Sequence, residues 1–293
     1  MSALGVSGLV VLGAVVTVLR ISVPYLLCAL GGTFSERGGV TNIALEGTLL
    51  VGALGAVAGG HATGSATVAL LCGVGAGLLL QGLYGLVVLR FRADQIVCGV
   101  AINLLAIGGT RFLLKLLYES SSNSPRVAAM PSTTPLVALI VLLVVAAHVV
   151  MFHTRFGLRL RACGESPSAA ATAGVSVLRV RAAGVLAAGF LGGLAGVWLA
   201  SLQHQFVDLM SGGRGFIALA AMIFGRWRPL GAVGACLLFG AAEAAQIGLQ
   251  TAGVGPAPAL TQTLPYVLTM VALCGAIGRA RPPAALGTPY AEE

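Results

Sequence analysis

Between Thr134 and Met151 the chain runs for eighteen residues without an Asp, Glu, Lys or Arg, and comparable apolar stretches recur along its whole length. They cover 3–30, 43–60, 66–89, 95–117, 134–152, 182–202, 216–224, 230–249 and 264–277. A segment that crosses a hydrocarbon core of about 30 Å needs roughly 20 apolar residues if helical. Its backbone N–H and C=O groups must pair within the segment, because lipid offers them no partners. The expected fold is therefore all-α, a polytopic membrane bundle with about eight or nine crossings. Run 216–224 is too short to cross unaided. Arg20 and Pro24 interrupt the first run, which reads as one kinked helix or as a helix followed by a half-helix. That run has no positive n-region and more membrane segment follows it, so it reads as a retained span.

Composition narrows the alternatives. Only 9% of the residues are charged, against about 25% in an ordinary soluble domain. The net charge of +8 comes from short Arg clusters between apolar runs, which suits membrane topology better than a nucleic-acid face. With Arg279 and Arg281 taken as cytoplasmic, alternation puts Arg226 and Arg228, the loop 154–181, Arg90, Arg92 and Arg37 on the same side, twelve of the seventeen basic residues. The opposite connections, 61–65, 119–133, 203–211 and 250–263, then carry Arg126 alone. The six cysteines include no C-x-x-C pair, so neither a metal site nor a disulfide framework is expected. Gly55/Gly59, Gly73/Gly77, Gly189/Gly193 and Gly192/Gly196 stand four apart, a spacing that lets helix backbones approach closely in lipid. One membrane domain over 1–280 is expected, followed by a disordered Pro-rich tail, 281–293.

Gly38-Gly39-Val40-Thr41-Asn42-Ile43-Ala44-Leu45 has an echo in Gly212-Gly213-Arg214-Gly215-Phe216-Ile217-Ala218-Leu219, with Gly-Gly and Ile-Ala-Leu at matched offsets. The first copy starts from the inside and the second from the outside, the pattern of an inverted repeat with Gly-rich breaks beside a substrate path. Ionisable and amide groups within spans are costly, about 2.5–3.5 kcal/mol for a charged one. Asn42, Glu46, Asn103, Arg111, Lys115, Arg214, Glu243 and Gln246 are the groups to explain. Arg111 and Lys115 lie near a helix end and can snorkel. Glu46 and Arg214 follow the Gly-rich breaks, and either substrate contact or buried pairing suits them. Glu243 and Gln246 share a helix face.

No catalytic constellation is present: H-E-x-x-H and G-x-S-x-G are absent, the four His stand apart, and the single lysine, Lys115, has no phosphate-binding glycine loop before it. No cofactor is expected, and any ATP must be bound by another chain. The loop 154–181 holds a small helix with readable ends: Ser166 as N-cap, Pro167 in the first position, Ala169 to Ala173 as the body and Gly174 as the left-handed stop. Arg155, Arg159, Arg161, Arg179 and Arg181 flank it and are expected to anchor the loop stems at lipid headgroups. The small-faced helix between them is expected to dock on a partner, so that a charge at Ala170 should block docking.

At these residues the sequence resembles the permease subunits of ABC importers for nucleosides and simple sugars, a superfamily that includes the ribose and branched-chain amino acid permeases. The matching stretches are SERGGVTNIALEG (35–47), DQIVCGVAINLLAIGGT (94–110), TRFGLRLRACGESPSAAATAGV (154–175) and GGRGFIALAAMIFGRWRPLGA (212–232). The resemblance implies a heterodimer of two related permeases in the bacterial plasma membrane, a cytoplasmic ATPase subunit and an extracytoplasmic substrate-binding lipoprotein. It implies that Gly164, Glu165, Ser166, Pro167, Ala169, Ala170, Thr172 and Gly174 lie at the coupling helix. Gly213, Arg214, Gly215 and Phe216 then lie at the translocation motif, with Asn42, Glu46, Asn103 and Glu243 as further candidates along the path. Ala44 departs from the glycine often found at that step. The alternative is a secondary transporter driven by an ion gradient, with Glu46 and Glu243 as its only coupling acids; a membrane enzyme is remote.

Overall fold

The computed structural model describes residues 3–251, 267 and 281–290, with side chains from residue 13 onward. Run 264–277, the connection 250–263 beyond Thr251, and Arg279 lie outside the described residues.

The chain forms α1 (Ala3–Arg37), α2 (Leu45–Thr63), α3 (Ala66–Gly85, continued by one wide π turn at Leu86–Arg90), α4 (Gln95–Tyr118) and α5 (Thr133–His153). It continues through α6 (Arg155–Glu165), α7 (Pro167–Thr172), α8 (Val177–Gln203), α9 (Arg214–Phe224) and α10 (Pro229–Thr251). Six of the described helices are long and apolar enough to cross a membrane. α2 adds a largely buried helix of 19 residues, and α9, with 11, is the short helix expected from run 216–224. The first run is one continuous helix through Pro24 rather than two pieces.

α8 is the hub, packed on α1, α2 and α3, and small residues set how closely it approaches. A Cβ added to Gly77 would lie 2.5 Å from the Gly189 carbonyl oxygen and 2.6 Å from the Gly193 Cα, while one on Gly196 would meet the Leu49 oxygen at 2.3 Å. The four-residue glycine spacings thus mark backbone contacts among α2, α3 and α8, where only hydrogen fits. α4 and α5 turn their large apolar side chains outward, with Leu104 64% and Leu142 63% exposed, as lipid-facing helices do.

Two of the connections expected on one face, 119–133 and 203–211, meet each other. Ser124 N–H donates to Phe206 O (2.9 Å), Val127 N–H to His204 O (2.7 Å), and Arg111 pairs with Asp208 at 2.8 Å. The loops rich in Arg gather at the other end. Arg37 donates to the carbonyls of Trp227 (2.8 Å) and Arg226 (3.3 Å), so the C-terminal end of α1 clamps the α9–α10 turn.

Two expectations at that end are corrected. Arg181 is 1% exposed rather than at the headgroups. Its guanidinium is held by the carbonyls of Cys163 (3.3 Å) and Thr288 (3.1 Å), and it packs against Gly39, where a Cβ would come within 2.7 Å of it. The tail is also ordered over 281–290, because its backbone bonds to the rest of the chain: Ala285 N–H to Gly164 O (2.9 Å) and Gly287 N–H to Gly39 O (3.3 Å).

Candidate functional site in the membrane and at the Arg-rich end

The two echoing segments both end a glycine turn and start a helix. Gly39 (φ 90°) precedes α2, and Gly212 (φ 54°) and Gly213 (φ 81°) precede α9, positions where a side chain would be strained. The two helix starts face each other. The Glu46 carboxylate, in the first turn of α2, accepts from Gly213 N–H (2.8 Å) and Gly215 N–H (2.6 Å) at the start of α9. A helix N-terminus presents unpaired N–H groups and a partial positive charge, and here a buried carboxylate from the opposing helix satisfies both. A Cβ on Gly215 would fall 2.4 Å from the Glu46 nitrogen, so only glycine allows this approach.

The loop 38–44 is held by a polar network. Asn42 and Gln81 exchange amide hydrogen bonds, Asn42 donating at 2.9 Å and Gln81 at 3.2 Å, and Gln81 also donates to the Thr48 hydroxyl (2.8 Å). Asn103 accepts from Gly47 N–H (2.8 Å) and donates to Ile43 O (2.9 Å). Tyr84 donates to Thr41 O, and Gln95 accepts from Thr41 N–H (2.7 Å). Asn103 therefore fixes backbone, while the Asn42 side chain is paired with that of Gln81. Sequence reading missed Gln81, Tyr84 and Gln95, although the two amides carried the same signal as Asn103: a polar group within an apolar run.

On the α9 side Arg214 pairs with Glu243 at 3.1 Å, and the Tyr25 hydroxyl donates to the same carboxylate. Arg214 also donates to the Met210 carbonyl (3.2 Å). The acids and base singled out in the spans thus neutralise one another or a helix end, while Phe216, beside them on α9, is 49% exposed. Replacing Arg214 by Gln is expected to lower the thermal midpoint of the purified chain by stranding the Glu243 charge. The double variant Arg214→Gln/Glu243→Gln should recover most of that loss, a coupling read by a double-mutant cycle.

At the Arg-rich end, the loop expected to hold one small helix holds two, and α6 is the additional one. Gly157, Leu160, Cys163 and Gly164 form its buried face, and Thr154 caps it by accepting from Gly157 N–H (3.2 Å). Gly164 lies under the end of α1, where a Cβ would come 2.1 Å from the Arg37 oxygen. α7 follows with Ser166 extended before it and Pro167 in the first turn, although the Ser166 side chain makes no capping bond. Gly174 (φ 78°) ends it: Gly174 N–H donates to Ala171 O (2.9 Å) and Val175 N–H to Ala170 O (3.0 Å), the paired bonds of a Schellman stop. Glu165, Ser166, Ala169, Thr172 and Gly174 are exposed. Ala170 is buried at 5%, in a cluster with Cys163 and Val177. A charge there would disturb packing and cannot report on docking, which corrects the expectation for that residue.

Among the described residues no group of three His, Cys, Asp or Glu side chains could hold a metal ion. A cavity of about 370 Å³ between α3 and α8, lined by Gly82, Gly85, Leu89, Arg90, Arg179 and Val185 among others, includes neither Glu46 nor the start of α9.

The family of branched-chain amino acid transport system permease components matches residues 14–273. The guanosine ABC transporter permease protein NupQ of Bacillus subtilis is 38% identical, over 91% of this chain and 92% of its own length. The nucleoside ABC transporter permease protein NupC of Lactococcus lactis is 37% identical, over 94% and 96%. A putative glucose ABC transporter permease protein of Haloferax volcanii is 30% identical, over 87% and 88%. No solved structure matches. With its membrane-spanning helices, paired helix starts and Arg-rich helix pair, the chain belongs to this family of ABC transporter permeases, multi-pass membrane proteins that each form one component of a transport system.

Proposed function

We propose that this permease carries an uncharged nucleoside inward, driven by ATP hydrolysis on a separate cytoplasmic subunit that docks on α7. The observation that carries the cargo class is the cancellation of charge at the facing helix starts. Glu46 occupies the positive end of α9, and Glu243 neutralises Arg214. A zwitterionic amino acid would find neither a free helix N-terminus for its carboxylate nor an unpaired acid for its ammonium group at this site, whereas a neutral polar solute needs neither. The relatives named for guanosine and nucleosides support that reading.

The same geometry offers a route for coupling. The α6–α7 corner touches the end of α1 through Gly164, and Arg37 approaches Glu165 at 3.9 Å while gripping the α9–α10 turn. A push on α7 therefore reaches both α1, which leads into the Glu46 loop, and the far end of α9. The path needs a second wall beside the exposed Phe216, and a second, homologous permease supplies it. A substrate-binding lipoprotein delivers cargo at the outer loops.

The cargo is tested by loading proteoliposomes of the complete complex with ATP and following labelled guanosine, cytidine, ribose and leucine. Uptake of the nucleosides is expected; uptake of ribose or leucine alone would reject the assignment. Docking is tested with Ala169→Asp, which puts a charge on the exposed face of α7. Uptake is expected to fall at least tenfold with normal membrane insertion, and normal uptake would count against docking at this face.

A further inference from the structure

We propose that the docking surface for the ATPase is composite, made of α7 and the C-terminal segment 281–290 together; this rests on the reading that α7 docks on that subunit. The family match stops at residue 273, so the segment lies beyond it. Yet 281–290 is built into the cytoplasmic end at several points. Ala285 N–H donates to the Gly164 carbonyl, the last buried position before α7, at 2.9 Å. Ala284 N–H donates to the Glu165 carboxylate at 3.3 Å, and Thr288 O accepts from the buried Arg181 at 3.1 Å. The Tyr290 side chain packs against the same small cluster, Cys163, Ala170 and Val177, that seats α7.

These contacts make the segment continuous with the docking helix. Its backbone bonds face inward, with Pro283 and Ala285 buried, and Pro282, Ala284, Thr288 and Pro289 are exposed, as are Ser166 just before α7 and Ala169 on it. The joint face is small and carries few charges, so it fits a shallow groove of apolar and small polar side chains on the ATPase rather than an acidic or basic patch. Arg181 is the positioning residue. A cation buried at 1% exposure, with carbonyls of α6 and of the segment as its partners, is costly to bury without such acceptors. It explains why a Pro-rich tail keeps one path.

The segment also touches the membrane site. Gly287 N–H donates to Gly39 O at 3.3 Å, at the turn that leads to Asn42 and Glu46. A partner pressing on 281–290 thus bears on that turn directly, besides acting through α6 and α1.

A photo-crosslinking amino acid placed at Ala169, Ala284 or Pro289 in the assembled complex tests the proposal, with His61 at the outer end as the control position. Adducts with the ATPase subunit are expected from 169, 284 and 289 and none from 61. Adducts from 169 alone would overturn the composite surface and leave docking by α7 standing. Adducts of 284 and 289 with lipid only would assign the segment to the membrane surface and overturn it equally. No ATPase adduct at 169 would remove the docking reading, and the proposal with it.

Discussion

Glu46→Ala is expected to abolish uptake. The carboxylate is 6% exposed and is the partner of two backbone N–H groups, on Gly213 and Gly215. Alanine leaves both donors without that acceptor, the buried one on Gly215 at a cost of about 1–3 kcal/mol and the half-buried one on Gly213 at less. It also leaves the positive end of α9 facing apolar surroundings. The first turn of α9 should then unwind or draw in water, and the register between α2 and α9 is lost. Glu46→Gln keeps one carbonyl acceptor at the same reach and no charge, so it should retain part of the activity. If Glu46 were instead a proton-coupling acid, Gln would be as inactive as Ala. The ratio of initial uptake rates for the two variants, measured at equal membrane content, separates the roles.

Gly77→Val should prevent a stable bundle from forming. The added Cβ lies 2.5–2.6 Å from backbone atoms of Gly189 and Gly193, and backbone cannot rotate away as a side chain can. Overpacking that a core absorbs costs about 1–3 kcal/mol; here the whole α3–α8 contact must open. The matched control is Gly75→Val two residues away, where nothing lies within 4 Å of the added Cβ. In fluorescence-detected size-exclusion chromatography, the Gly77 variant should lose the monodisperse peak and the Gly75 variant should keep it. Equal profiles would mean that α3 and α8 are not in backbone contact.

These two sites differ in how readable they were. The glycine pairs and the Gly-Gly breaks could be read directly, because close helix approach and positive φ both select glycine, and the break at 212–213 has that φ at both residues. Apolar run lengths likewise gave most of the described helices within about three residues, since lipid leaves the backbone no other choice, while α1 and α8 extend seven and five residues beyond their apolar runs. Which polar groups would meet was hidden. Glu46 and Gly215 are 169 residues apart, and nothing local says that one helix start will cap the other. α6 was legible in principle: Gly157, Leu160 and Cys163 recur at helical spacing, but its Arg residues drew attention to topology. Arg181 resembled the other loop arginines because its acceptors are carbonyls, and carbonyls leave no trace in sequence. The tail was misread for the same reason. Pro-rich composition speaks against a regular helix, not against long-range backbone bonds, and those hold 281–290 in place.

The most direct test of ATP-driven transport compares driving forces. Proteoliposomes holding this permease with its partner permease and ATPase, supplied with the binding protein and labelled guanosine outside, are loaded with ATP, with a non-hydrolysable analogue, or with neither under an imposed proton or sodium gradient. Accumulation against a concentration gradient with ATP alone is the predicted result. Accumulation by this chain by itself on an ion gradient, unaffected by ATP, would contradict the account.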